Sequence, residues 1–298
     1  MSDLPWVYQR NCRMRADDPM PEGMHRIAAV VEYDGSLFCG WQRQSHSPSV
    51  QAEVERALSK VAAEPITVAC AGRTDTAVHG TNQIIHFDTL AVRAPHNWIM
   101  GANANLPKGI RLHWAGEMPK EFHARFSAAA RTYRYVIYNG PYRPALGHSG
   151  LTWERRPLDV LSMQKAAKHL VGEHDFSSFR AAGCQSNSPN RDMHYVEVWR
   201  QGSLVIIELR ANAFLLHMCR NIAGSLMAVG SGEREPDWMA QLMSARDRNQ
   251  ADITAPPNGL YLVSVDYPEP FELPDLSPGP HFVPDPLKHP PCKERLFP

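Results

Sequence analysis

The alternation of apolar and polar residues divides the chain into short strands and amphipathic helices. Arg26 to Tyr33 is a β-branched, apolar run and predicts a strand. Ser49 then stands where a helix cap would stand, with Glu53 in the first turn and Val50, Val54, Leu58 and Val61 at helical spacing. Pro65 to Cys70 and Gln83 to Phe87 predict two further strands, and Ile110 to Met118 another. Ala128 to Tyr138 predicts a long strand ending at the turn Asn139-Gly140-Pro141. Asp159 to Val171 has the pattern of an amphipathic helix. Tyr195 to Trp199 and Leu204 to Arg210 form a hairpin pattern across Gln201-Gly202. Two more helices are predicted over Phe214 to Val229 and Trp238 to Met243, and a last strand over Leu260 to Tyr267. Hairpins mixed with helical segments predict an α+β fold, with helices on one face of a largely antiparallel sheet.

The pattern also sets expected boundaries. Residues 1–24 show no period and read as a mobile arm. The two halves run through similar element orders, so two subdomains are expected, 25–120 and 121–267. From Pro268 onward prolines are dense, which predicts an extended tail over 268–298.

Composition narrows the function classes. Of 298 residues, 43% are hydrophobic and 21% charged, as in soluble globular proteins. No apolar run approaches the ~20 residues of a membrane helix, and the N-terminal segment has no apolar core like that of a signal peptide. Six scattered cysteines without a Cys-x-x-Cys pair argue against a zinc ribbon or disulfide framework and predict a reducing cytoplasm. Zero net charge is unusual for a nucleic-acid binder. The charges are unevenly placed, however: Glu121 to Arg156 holds six arginines against two acids. A local basic field is enough to steer a polyanion.

One short run concentrates the candidate chemistry: Cys70-Ala71-Gly72-Arg73-Thr74-Asp75-Thr76-Ala77-Val78-His79-Gly80. It sits between two predicted strands. A carboxylate beside a guanidinium stays ionised, ready to act as nucleophile or base. Taken alone, an Arg-x-Asp could equally be an ion pair that stitches a loop. Asp75 and His79 are four apart in a loop and have no third ligand at recognisable spacing, so no metal is expected. No Gly-x-Gly-x-x-Gly or phosphate-loop pattern appears, and no nucleotide cofactor is expected. Further on, His217, Arg220, Asn221 and Gly224 share one stripe of an otherwise apolar predicted helix. A buried arginine there would need an anionic partner, either Asp75, another carboxylate or an RNA phosphate.

The run around Asp75 resembles the catalytic motif of the pseudouridine synthases, and among them the tRNA pseudouridine synthase A family. The resemblance continues in order. It takes in Glu32-Tyr33-Asp34-Gly35, Phe38-Cys39-Gly40-Trp41-Gln42-Arg43-Gln44 and Ser49-Val50-Gln51. Asn103-Ala104-Asn105-Leu106-Pro107, Phe122-His123-Ala124-Arg125-Phe126 and Thr132-Tyr133-Arg134-Tyr135 follow. Asp175 to Phe179, Asn212-Ala213-Phe214, His217 to Asn221 and Gly259 to Leu262 complete the series. It spans residues 26 to 267.

The resemblance implies two α/β subdomains with joined, mostly antiparallel sheets, flanking helices and a central cleft. It implies a cofactor-free isomerase that turns uridine into pseudouridine at positions 38 to 40 of the tRNA anticodon arm, working as a homodimer. It makes Asp75 the catalytic carboxylate, with Arg73 beside it. It sets Tyr133 against the target base, where an aromatic face can stack and a hydroxyl can move a proton. By spacing alone Tyr133 and Tyr135 would be two core tyrosines on one strand face. The resemblance also puts Leu260 against the base, and Arg220, from its place in the polar stripe, is taken as a further substrate-binding residue. The chain departs from the family at Thr76-Ala77, where Ala-Gly is usual. Without the glycine, the loop is expected to hold ordinary backbone angles. Two other readings remain open on the residues: an RNA-folding chaperone with the same fold and little activity, and a hydrolase using Asp75 and His79.

Overall fold

A computed structural model describes residues 22–283 of the chain. The expected N-terminal arm lies outside the described residues except for its last three, and so does the end of the tail. The chain divides into two compact units. The first comprises residues up to Ala129 together with Val265–Leu276, and the second Ala130–Ser264 with the segment from Ser277 onward.

In the first unit, strands β1 (His25–Tyr33), β2 (Ala69–Cys70), β3 (His79–Thr89) and β4 (Ile110–Met118) carry helices α1 (Val50–Ala62) and α2 (Pro95–Asn105). β1 is central and pairs antiparallel with both β3 and β4, Val30 lying opposite Ile84 and Trp114. Its side chains alternate between two apolar layers. Ile27, Ala29 and Val31 face the larger core, with Val54 and Leu58 of α1 and Trp98 of α2. Ala28 and Val30 face a second layer of Ile84, Phe122 and Ala124, covered by Tyr267, Phe271 and Leu273. A strand buried on both faces reads as a continuous apolar run, as β1 does. The proline-rich segment after Pro268 has no helix or strand among its described residues, yet Phe271 and Leu273 pack on this layer.

The second unit is built on β5 (Ala130–Asn139), β6 (Thr152–Glu154), β7 (Gly172–Asp175), β8 (Asn190–Gln201), β9 (Leu204–Ala211) and β10 (Leu260–Asp266). The strand order is β10-β5-β9-β8-β7, with β6 running parallel to the end of β5. The hairpin across Gly202, at φ +57°, pairs β8 with β9 as the sequence predicts. Helices α3 (Val160–Ala167), α4 (Met218–Gly230) and α5 (Trp238–Ala245) cover this sheet, α3 packing on β8 and α4 on β5. The fold is therefore α+β with mostly antiparallel strands.

Among the boundaries that differ from the sequence reading, three bear on the predicted site residues. β2 is two residues rather than six, because only Ala69 and Cys70 find partners on β3. β3 begins at His79, inside the signature run. α4 begins at Met218 rather than Phe214, because His217 takes a left-handed φ of +59° and stops the helix there.

Candidate active site

The Asp75 loop is held by backbone hydrogen bonds and by buried polar groups, the Thr74 hydroxyl among them. Ala71 N–H donates to the Ile84 carbonyl at 2.8 Å, extending the β2–β3 pairing into the loop. Gln83, buried on β3, clamps Gly72 from both sides: its amide nitrogen donates to the Gly72 carbonyl at 2.5 Å and its oxygen accepts from the Gly72 N–H at 3.3 Å. Thr74 shares a 2.8 Å hydrogen bond with the Tyr33 hydroxyl and accepts from the Trp41 N–H at 3.0 Å. Burial pushes the Tyr33 phenol well above its ordinary range, so it stays a neutral partner. The Val78 N–H donates to the Asp75 carbonyl at 3.1 Å and closes the turn.

Two glycines let the preceding segment reach this loop. A Cβ on Gly40, at φ +90°, would lie 2.9 Å from the Thr74 carbonyl oxygen and 3.2 Å from the Asp75 carbonyl carbon. A Cβ on Gly35 would fall 1.9 Å from the Val78 carbonyl oxygen. Gly40 and Trp41 in turn accept from Val50 and Gln51, so the same segment is fixed to the start of α1. On the far side of the loop, buried His79 accepts the Gly35 N–H at 3.1 Å and stands 3.2 Å from the Asp34 carboxylate. Asp75 is thus half-buried on a frame assembled from β1, β3 and the Gly40 turn.

Arg73 is exposed at the surface of the loop. Ala77 takes φ +63°, a left-handed angle. This corrects the expectation of ordinary backbone angles: the loop keeps the shape that suits glycine and places alanine in it, at a cost of roughly 1 kcal/mol.

The remaining predicted residues belong to the second unit. Tyr133 on β5 lies opposite Leu209 and is 8% exposed, its ring edge-to-face with Phe214 at 5.0 Å. Tyr135, two residues on, is fully buried and its hydroxyl donates to the Pro256 carbonyl at 2.7 Å, as a core tyrosine would. Leu260 opens β10 and is buried. Arg220 lies in the first turn of α4, where its Nε donates to the Ala255 carbonyl at 2.8 Å and its own carbonyl accepts from the Ala255 N–H. The rest of the polar stripe docks on the same segment. Asn221 is fully buried, accepting from Thr254 and Arg248, and a Cβ on Gly224 would stand 2.0 Å from the Ile253 carbonyl oxygen.

The frame around Asp75 has no chemical sign in the sequence. Tyr33, Gly40 and Gln83 are ordinary residues taken singly. The only signal for Tyr33 and Gly40 was their place in the ordered series of motifs.

The chain matches the model of a family described as tRNA pseudouridine synthase over residues 29–127 and 166–268. Curated relatives are similar along nearly their whole length. The tRNA pseudouridine synthase A of Coxiella burnetii is 54% identical over 261 residues, covering 88% of this chain and all of that protein. That of Pseudomonas aeruginosa is 56% identical, covering 88% of this chain and 92% of its own. That of Vibrio cholerae is also 56% identical, with 88% and 99% covered. A loop carrying Arg73 and Asp75 on a rigid frame, and a match of this extent, lead to one conclusion: the chain belongs to the tRNA pseudouridine synthase family.

Proposed function

We propose that this protein isomerises uridine to pseudouridine in tRNA, with Asp75 as its catalytic carboxylate. The observation that carries the reading is the frame around Asp75. Tyr33, Gly40, Trp41, Gln83 and Val78 fix the backbone on both sides of a half-buried carboxylate. Such order is what a nucleophile needs if little geometry is to be lost during reaction.

In this reaction the bond between ribose C1′ and uracil N1 breaks, the base turns, and a bond forms between C1′ and uracil C5. C5 loses its proton and N1 gains one, so the product has the mass of the substrate. Asp75 acts at the sugar or the base as the first bond breaks. Tyr133 stacks on the target base and its hydroxyl assists the proton that leaves C5. Arg73 reaches from the exposed side of the loop toward the phosphate or ribose of the flipped nucleotide. Arg220 and Leu260 contribute to holding the nucleotide. The chemistry calls for no redox step and no cofactor.

The finer assignment follows the sequence resemblance. The target uridines are those at positions 38 to 40 of the anticodon arm, which requires recognition of RNA shape rather than base sequence. The enzyme acts as a homodimer in the cytoplasm, and exposed arginines of the segment between Glu121 and Arg156, Arg125 and Arg143 among them, supply phosphate contacts. Affinity for tRNA then falls steeply with salt despite zero net charge. Incubating the protein with unmodified tRNA tests the reading. The expected result is unchanged RNA mass and new pseudouridine by base-specific chemical labelling. A product of altered mass, or no pseudouridine, would overturn it.

A further inference from the structure

Phe126 is out of place for a phenylalanine. Phe38, Phe87, Phe122, Phe176 and Phe179 are all buried, whereas Phe126 is 61% exposed. An exposed aromatic on a slack loop would be unremarkable. This one is held in position by a compact turn. The His123 N–H donates to the Ser127 hydroxyl and the Ser127 N–H to the His123 carbonyl, both at 2.9 Å. The His123 Nδ1 accepts from the backbone N–H groups of Arg125 at 3.1 Å and Phe126 at 3.3 Å. That pattern leaves the imidazole proton on Nε2. The His123 ring lies 4.4 Å from the Phe126 ring at 35°, and 4.6 Å from the buried His86 ring behind it. The Arg125 guanidinium stands over the Phe126 ring at 5.5 Å. Burial, with Arg26 and Arg125 nearby, lowers the His123 pKa to about 4, so the ring behind Phe126 is uncharged at neutral pH.

The molecule thus presents a rigid exposed aromatic, backed by a neutral imidazole and flanked by a cation. We propose that Phe126 and Arg125 form an auxiliary RNA-binding platform on the first unit, on which an unpaired nucleobase stacks while Arg125 meets the adjoining phosphate. The choice of RNA over a protein partner rests on charge and shape. A guanidinium beside an aromatic face matches the paired phosphate and π-surface of a nucleotide. One isolated ring has too little area to seat a protein. The proposal rests on the tRNA reading above but assigns Phe126 no part in the chemistry.

Phe126→Leu, Phe126→Trp and Arg125→Ala, each in the full chain, test it. Titration with an unmodified tRNA transcript measures Kd, thermal melting checks the fold, and pseudouridine formation is followed separately. Phe126→Leu keeps bulk and removes the π face; it should raise Kd about tenfold or more, with an unchanged melting temperature and salt slope. Phe126→Trp should bind at least as tightly as Phe126. Arg125→Ala should weaken binding and reduce the salt slope by about one. Equal affinity of Phe126→Leu and the unsubstituted protein would overturn the proposal. So would a change confined to self-association in light scattering, which would make this face a protein contact. Loss of tRNA binding in Phe126→Leu when the parent protein binds tRNA but makes no pseudouridine would uphold the platform and remove the enzymatic reading instead.

Discussion

Gly40 lies against the backbone of Thr74: a Cβ there would be 2.9 Å from the Thr74 carbonyl oxygen, which also accepts the Trp41 N–H. The glycine matters twice, since its φ of +90° is strained for any other residue. The neighbour that would have to move is the backbone that carries Asp75. Gly40→Ala should therefore cost far more turnover than stability. A displacement near 1 Å at a reacting group can lower a rate about 10²-fold. Single-turnover pseudouridine formation should fall by about that factor, while circular dichroism and tRNA affinity stay close to those of the parent. A fully active Gly40→Ala protein would show that the loop tolerates the shift.

Ala77 gives a second, opposite handle on the same loop. It holds φ +63° with a side chain that disfavours it. Ala77→Gly removes the strain but loosens the unfolded chain, so a net gain of about 0.5–1 kcal/mol is expected. Ala77→Val should lose stability, because a β-branched residue fits this region still less well. Thermal melts of both should move in opposite directions, the glycine variant upward by about one to three degrees.

These two positions show what was legible in the sequence. β1 and β4 could be read almost to the residue, because their apolar runs are bounded by turn signals. The cap at Ser49 is also as expected, with its hydroxyl accepting from the Ala52 N–H. β3 was read too short because His79, Thr81 and Asn82, ahead of the predicted start at Gln83, are polar yet buried. α2 was missed because few of its residues face the core, although Pro95 in its first turn was a usable signal. The frame of Asp75 depends on contacts between residues far apart in sequence, such as Gly40 on Thr74 and Tyr33 on Thr74, which no local period encodes.

Asp75→Asn removes the charge and leaves the shape. If the carboxylate is the catalytic group, turnover should fall below a few per cent of the parent while tRNA Kd changes little. Substantial pseudouridine formation by this variant would take Asp75 out of the mechanism.

Tyr133→Phe separates stacking from proton movement. The ring and its 5.0 Å edge contact with Phe214 would remain, and only the hydroxyl would be lost. A role in proton transfer predicts a fall in turnover of ~10²-fold or more with unchanged tRNA affinity. Near-parental activity in Tyr133→Phe, with loss in Tyr133→Leu, would leave only the stacking role.

His123 predicts how stability responds to acid. Burial is the main reason that its folded pKa is lowered to about 4, with Arg26 and Arg125 adding to the effect and Asp88 opposing it. The unfolded chain binds the proton near pH 6.5. Between these values the unfolded state holds more protons than the folded one, so stability rises with pH. The contribution is complete above about pH 6.5 and is lost as pH falls toward 4. His86 acts in the same direction, since burial lowers its pKa as well. In His123→Asn, an amide oxygen can accept from the Arg125 and Phe126 N–H groups without a titrating ring. Urea midpoints measured between pH 4 and 7 should then show a shallower slope in the variant than in the parent, the remainder being that of His86 and the carboxylates. Identical slopes would mean that His123 takes up its proton equally in both states, and that the ring beneath Phe126 is charged in the folded protein at mildly acidic pH.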